Sequence, residues 1–325
     1  MIQVTILAFE QSVASTFTGP LDVFHQAGCI WNRLHGLPEA PLFAVTLVTV
    51  DGKPFTTRTG LHVTPHCAMD ESGGMDLIVI GSYGEFTPEG SREARVASWL
   101  KGHHTEGVSL ASICTGAFLL AKTGLLDGKT ATTHWAAADR FRTIFPLVDL
   151  QPEKILTDEG QLFCSAGLSA GVDLSLYLVE HYCGTDVARK TAKAFVCDAS
   201  RTSQAPYFTF RYPKDHGDTT IRKIQGHLEQ HCTKPLRSPE IAHRFGMSLR
   251  NFERRFKTAT GTTPLKYQQR LRVELVRHLL ETTDMSFDEV SWKSGYADSG
   301  YLRKLFVRET GLLPVEYRQK FRCTR

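Results

Sequence analysis

Apolar and polar positions divide the chain into two regimes. Up to about residue 197, short and nearly continuous apolar runs alternate with segments of helical period. Val4–Phe9, Phe43–Val50, Leu77–Gly81 and Val108–Ile113 predict strands, with shorter ones at Lys129–Thr133 and Leu162–Ser165. Gly19–Ala27, Arg92–Lys101, Ala117–Lys122 and Ala170–His181 predict the helices between them. Strands built almost wholly from apolar residues are those buried on both faces, and β–α alternation implies a parallel sheet. The expectation for residues 1–197 is therefore an α/β domain, a parallel sheet between two helical layers. Residues 198–217 break the pattern with Arg201-Thr202-Ser203-Gln204-Ala205-Pro206 and Tyr212-Pro213-Lys214-Asp215-His216-Gly217, and read as a linker. From 218 to 325 only helical periodicity remains, which predicts an all-α domain.

Charge sharpens this division. The chain of 325 residues carries a formal charge of only +4. Residues 216–325 hold 21 Lys and Arg against 12 Asp and Glu, whereas residues 1–215 hold 17 against 22. A basic tail behind an acidic front points to a polyanionic partner for the tail alone. With 42% hydrophobic residues the chain is neither disordered nor collagen-like. No apolar run is long enough for a membrane helix, and the first residues read as a strand rather than a signal peptide. The eight cysteines include no C-x-x-C pair, so neither a zinc site nor any other metal or cofactor is expected, and a reducing cytoplasm suits them.

The basic tail is internally duplicated. Phe256, Gly261, Pro264 and Tyr267 recur fifty residues on as Phe306, Gly311, Pro314 and Tyr317, and Phe252 pairs with Leu302. Upstream, Ile241 and Gly246 pair with Val290 and Gly295 at an offset of forty-nine, so the second copy has gained one residue at its turn. In each copy a serine (Ser238, Ser286) is placed to cap a short helix with an acidic first turn, and a glycine ends it. A second helix follows with two inward apolar residues four apart and basic residues outside. That is a helix-turn-helix layout, present twice. Between the copies, Pro264–Leu280 predicts one long helix whose Leu271, Leu275 and Leu279 stripe packs them together.

Through the two Gly-x-x-Pro endings and Gly295-Tyr296-Ala297-Asp298-Ser299, residues 218–322 resemble the AraC/XylS family of DNA-binding domains. The resemblance implies transcription regulation, double-stranded DNA as partner and contact with RNA polymerase. Carried onto this chain, the base-contacting positions are Arg250, Glu253 and Arg254 in the first unit and Ser299, Gly300 and Lys304 in the second. Arg and Lys there can read guanine edges, and Glu253 can accept from cytosine. Gly300 departs from the family's longer side chain. Arg255, Lys257, Arg303 and Arg308 are the phosphate candidates, which position without specifying.

In the front domain, Ala111-Ser112-Ile113-Cys114-Thr115-Gly116-Ala117 places a cysteine where a strand turns into a helix. A helix N-terminus lowers a thiol pKa, and a strained turn exposes a nucleophile. Thr133-His134-Trp135 supplies a histidine that could pair with it. Together with Gly19-Pro20-Leu21-Asp22-Val23-Phe24, Gly124-Leu125-Leu126-Asp127-Gly128 and Ser165-Ala166-Gly167, these motifs make residues 1–195 resemble the class I glutamine amidotransferase-like (PfpI-like) superfamily. The resemblance implies a flavodoxin-like three-layer sandwich. The two domains in this order resemble the GlxA-like regulators.

Thr115 follows the cysteine where protease-like members carry a histidine, and Thr16 stands where relatives carry an acid. No carboxylate is assigned to orient His134. The domain therefore reads as a degenerate, non-catalytic sensor of a small molecule, with Thr16, Cys114, Thr115, His134, Trp135 and Ser165 lining the pocket and Trp135 suited to face a ligand cation. The family resemblance implies an amino-acid-like or quaternary-amine effector and a homodimer. Two alternatives stay open, a cysteine-dependent amidohydrolase and a thiol redox sensor, both at Cys114.

Overall fold

The structure is a computed structural model describing residues 1–198, 201–210, 214 and 216–322. The linker positions Ala199, Ser200, Arg211, Tyr212, Pro213 and Asp215 lie outside the described residues. The chain forms two compact units, Met1–Gln204 and Ala205–Arg325. Their boundary falls inside the segment read as a linker, and that segment is not free of either body. Ser203 bridges to Lys154 in the first unit, while the Tyr207 ring meets Phe321 edge-on in the second.

The first unit holds strands β1 (Ile2–Leu7), β2 (Phe43–Thr49), β3 (Phe55–Thr56), β4 (His62–Val63), β5 (Cys67–Ala68), β6 (Leu77–Ile80), β7 (Ser109–Ile113), β8 (Thr130–Ala131), β9 (Asp149–Leu150), β10 (Leu156–Asp158) and β11 (Leu162–Ser165). Its helices are α1 (Ser15–Gln26), α2 (Ile30–Leu34), α3 (Ser91–Thr105), α4 (Ala117–Lys122), α5 (Ala138–Ile144), α6 (Ala170–Cys183) and α7 (Thr185–Ala194). Seven strands make one sheet in the order β10-β11-β7-β6-β1-β2-β5. Every pairing in it is parallel except β10 with β11.

The apolar runs explain the layers. Alternate residues of one strand enter opposite cores, as β6 illustrates. Its Ile78 and Ile80 face α3 and α4 through Val96, Leu100 and Phe118. Its Leu77 and Val79 face α1 and α6 through Phe17, Phe24, Leu174 and Leu178. The order of strands reverses between β1 and β6, and open parallel sheets hold their sites at the carboxyl ends of strands beside such a reversal. Gly81 and Cys114 follow the ends of β6 and β7 directly, and Thr16, in the first turn of α1, bonds Ser82 beside them.

The second unit is helical throughout its described residues: α8 (Thr219–Gln230), α9 (Ser238–Arg244), α10 (Leu249–Thr260), α11 (Pro264–Thr282), α12 (Phe287–Lys293), α13 (Ser299–Thr310) and α14 (Pro314–Phe321). It has two cores, one around Phe252, Phe256 and Tyr267, the other around Leu302, Phe306 and Tyr317. Two expectations need correction. Ser238 makes no side-chain cap and lies inside the first turn of α9, whose lead residue Arg237 pairs with Glu240 instead. Ser286 does cap, reciprocally with Glu289. The buried stripe of α11 is Val273, Val276 and Leu280, not Leu271, Leu275 and Leu279. Leu271 and Leu279 only flank the two cores, one each, because the face that packs inward is turned by roughly a third of a turn from the leucines. No described helix is long and apolar enough to cross a membrane.

Candidate functional site

Cys114 closes β7 with φ +58°, a left-handed conformation that a side chain adopts only under constraint. Neighbours supply that constraint. The Cys114 amide donates to Ala166 O at 2.9 Å, and Thr133 Oγ1 donates to Cys114 O at 2.8 Å. Gly116 is obligatory behind it, since a Cβ there would lie 2.5 Å from Ile80 O. The elbow is thus built as the motif predicts. Its chemistry is not. The thiol is 6% exposed, and burial pushes its pKa up, outweighing the hydrogen bonds from Thr115 that act the other way. The expected lowering is corrected: the helix beginning after the 3-10 turn at Cys114–Gly116 is short, and desolvation of a thiolate is the larger effect.

His134 stands beside this elbow without serving it. Its Nδ1 accepts from the Ala136 amide at 3.1 Å, so the neutral ring carries its proton on Nε2. That Nε2 edge lies over Gly167, where a Cβ would come within 2.6 Å of His134 Cδ2. Burial holds the imidazole below the usual histidine range. No carboxylate bonds to His134 among the described residues. The loop is pinned by Gln204, a residue that spacing did not single out. Its Nε2 donates to Thr133 O at 2.8 Å and its Oε1 accepts from the Trp135 amide at 3.3 Å.

The remaining pocket candidates divide. Thr16 is fully buried; its hydroxyl donates to Val13 O at 2.7 Å and accepts from the Ser82 amide at 3.0 Å. Ser165 is also fully buried, with Oγ 3.4 Å from Ser112 O. Both hydroxyls serve internal structure. Thr115 clamps the β6–α3 loop, donating to Tyr83 O at 2.6 Å and accepting from its amide at 3.0 Å. Thr115, His134 and Trp135 are half-buried and reach the surface. Sequence reasoning also missed Glu93, buried and accepting from Tyr83 Oη at 3.0 Å; burial and that contact push the phenol up to about 12. A lone Glu in a helical segment gives no hint of such burial.

In the second unit the two predicted recognition helices are α10 and α13. Phe252 and Phe256, like Leu302 and Phe306, point inward and are fully buried. Arg250, Glu253, Arg254 and Lys257 on α10 are exposed, as are Gly300, Arg303, Lys304 and Arg308 on α13. Ser299 is half-buried at the start of α13, and the Gly300 amide is held by the capping Asp298 at 2.8 Å. Arg303 lies 5.4 Å from the Phe287 ring centre, and Arg308 pairs with Glu309.

Arg255 is corrected as a phosphate contact. Its guanidinium grips Asp218 with two bonds of 2.9 and 2.7 Å, and Asp218 in turn caps α8 through the Ile221 amide. A fork already filled by a carboxylate is not free for a phosphate. The unpredicted organiser is Arg272 on α11. It donates to Cys232 O, Thr233 O and Lys234 O on the α8–α9 connection and to Gly295 O in the α12–α13 turn. One side chain thereby ties the two helix-turn-helix units together.

A model of the DJ-1/PfpI family matches residues 2–181, and a helix-turn-helix domain model matches residues 241–320. The HTH-type transcriptional regulator CdhR of Pseudomonas aeruginosa is 30% identical over 291 residues, covering 88% of this chain and 84% of the relative. Isonitrile hydratase of Pseudomonas putida is 31% identical over 190 residues, covering 58% of this chain and 75% of that protein. Among solved structures, an AraC family transcriptional regulator from Pseudomonas putida superposes with TM-score 0.51 at 21% identity, over 60% of this chain and 100% of that one. The family model spans more than half of the chain and the regulator relative nearly all of it, so this protein belongs to the DJ-1/PfpI family and joins that domain to a helix-turn-helix DNA-binding domain.

Proposed function

We propose that the α/β unit of this DNA-binding transcription regulator senses a small-molecule effector without turning it over. The observation that carries this reading is the His134 hydrogen bond. The lone pair a general base would use is already accepting the Ala136 amide. The buried Cys114 thiol lacks activation for acyl transfer, and the same burial disfavours the thiolate that redox sensing needs. In the helical unit, Arg250, Glu253, Arg254 and Lys304 read base edges while Lys257, Arg303 and Arg308 hold phosphates. The protein works as a homodimer, which doubles the operator contact, with RNA polymerase as a further partner.

The enzyme reading is kept alive by one feature, the intact elbow at Cys114 with its positive φ. The deciding experiment offers the full chain small amides, ketoaldehydes and isonitriles beside a salt-dependent DNA-binding assay. The expected result is specific, salt-sensitive duplex binding with no turnover. Turnover lost in Cys114→Ser would overturn the sensor reading; absence of salt-sensitive DNA binding would overturn the assignments on α10 and α13.

A further inference from the structure

The first helix-turn-helix unit carries a basic cleft that its recognition helix α10 does not line. α8, the connection after it and α9 enclose a space of about 300 Å3, with Gln268 of α11 behind. His227 and His231 fall four apart on α8, which brings their ring centres within 4.5 Å. His231 Nδ1 donates to His227 O at 3.0 Å, so its Nε2 is the nitrogen left to gain a proton. Lys234 stands on a connection that is held from behind. The buried Gln268 donates to Lys234 O at 2.8 Å, and Arg272 donates to the same oxygen at 2.9 Å. Arg237 leads α9 and Arg244 ends it, two turns apart along the face that meets the cleft.

Each charge can be set against its partner. Three cations and one carboxylate line the cleft. Arg237 is matched by Glu240 at 2.9 Å. Lys234 and Arg244 are exposed, and neither has an ion pair among the described residues. Two positive charges therefore remain, beside two imidazoles. His227 registers them: burial first, then the nearby Arg244, His231 and Lys234, hold its ring below the usual histidine range, and no carboxylate acts against them. The fold does not require these groups. At the offset of forty-nine that relates Ile241 to Val290, the second copy has Val276, Leu280, Thr283 and Ser286 in place of His227, His231, Lys234 and Arg237. Of the five basic positions only that of Arg244 stays basic, as Lys293. We propose that this cleft binds a phosphate group. A phosphate monoester carries a charge of about −1.5 to −2 at neutral pH, which matches the surplus, whereas a carboxylate leaves one cation unmet. The Arg244 fork, the Lys234 ammonium and a protonated His231 Nε2 are the donors offered to its oxygens. The group belongs either to the backbone of a bound duplex or to a free phosphate ester, and the recognition chemistry is the same for both.

The test has two arms, both on the full chain. In the first, inorganic phosphate is titrated calorimetrically near pH 7 at constant ionic strength, with acetate as the monovalent control. Saturable phosphate binding is expected, about tenfold or more tighter than acetate. Lys234→Gln and Arg244→Ala, exposed changes that should leave cooperative melting unaltered, should each weaken it by about tenfold. In the second arm, duplex binding is followed against salt concentration in the parent and both variants. A log–log slope shallower by about 1 in each variant supports the cleft as a site for a backbone phosphate. An unchanged slope with inorganic phosphate still bound supports it as a site for a free phosphate ester. Failure of both arms overturns the site, as does acetate binding as tightly as phosphate, or phosphate binding that both variants leave intact. A parent chain that binds no duplex at all counts against the assignments on α10 and α13, and the phosphate titration then decides the cleft alone.

Discussion

The two helix-turn-helix units share their interiors and differ on their surfaces. In the first, Phe256 meets Tyr267 edge-on at 5.3 Å, and Tyr267 Oη donates to Glu229. In the second, Phe306 meets Tyr317 at 5.2 Å, and Tyr317 Oη donates to Glu281. Both recognition helices end on a left-handed glycine, Gly261 at φ +70° and Gly311 at +72°. A threonine follows the same pattern in each, Thr260 bonding Phe256 O and Thr262 O, Thr310 bonding Phe306 O and Leu312 O. Outside these positions the copies part. α10 displays Arg250, Glu253 and Arg254, whereas α13 opens on Ser299 and Gly300 and displays Arg303 and Lys304 at the positions of Glu253 and Arg254. What the repeat keeps is what makes the fold; what it varies is what stands exposed to solvent. One module can therefore be copied whole while its sequence preference changes.

The largest effects should be the symmetric ones. Phe256→Ala and Phe306→Ala each remove a fully buried ring and should each cost about 3–5 kcal/mol, read from chemical denaturation of the full chain. Unequal losses would break the equivalence of the two cores. The turn glycines should behave less alike. Both have positive φ, so Gly246→Ala should cost about 1–2 kcal/mol from backbone strain alone. Gly295→Ala meets a further obstacle: its Cβ would stand 2.1 Å from Thr233 O, the carbonyl that Arg272 also holds. Overpacking adds about 1–3 kcal/mol there, so a denaturation midpoint equal to that of Gly246→Ala would refute the close approach.

How much of this was legible follows from the range of each interaction. The duplication, the inward phenylalanines and the parallel sheet were readable because they repeat a local period. The elbow was readable because a strand, a cysteine and a glycine are adjacent in the chain. The state of its thiol was not, because burial depends on every layer around it. Arg255 and Arg272 look like any surface cations in a basic helix; only the fold brings Asp218 to one and four carbonyls to the other. Likewise the α11 stripe was misplaced because leucines at i, i+4 and i+8 outweighed two valines, while packing favoured the valine face.

Surface differences should show in DNA binding. Arg254→Ala and Lys304→Ala should each weaken binding to the operator by about 1–3 kcal/mol and leave binding to random duplexes nearly unchanged. The loss should be greater at Arg254, because a guanidinium fork can meet a base edge bidentately where an ammonium cannot, and this one is steadied by Asn251 at 3.0 Å. Competition assays with operator and scrambled duplexes at fixed salt make this comparison. Equal losses on both duplexes would move Arg254 into the phosphate-contacting set and remove the proposed asymmetry of readout.

The smallest effect belongs to a lock present in the first unit, the fork between Arg255 and Asp218. The Arg255 guanidinium, followed by the capped amides of α8, holds the Asp218 carboxyl below the usual aspartate range. A folded-state pKa below the unfolded value means that the carboxylate stabilises the fold above about pH 4, the unfolded range, and that this stabilisation fades as the pH falls through the lower folded value. Asp218→Asn keeps a capping oxygen and removes the charge. It should be less stable than the parent at neutral pH by a small margin, since both partners stay in contact with solvent. That margin should shrink below about pH 4 and vanish once Asp218 is protonated in the folded parent. Arg255→Ala should show the same acid-dependent loss and leave the salt dependence of DNA binding intact, because a guanidinium occupied by Asp218 releases no counterion from DNA. A flattened salt dependence in Arg255→Ala would instead mean that the fork opens on the operator, and the first unit would then resemble the second in the number of phosphates it holds.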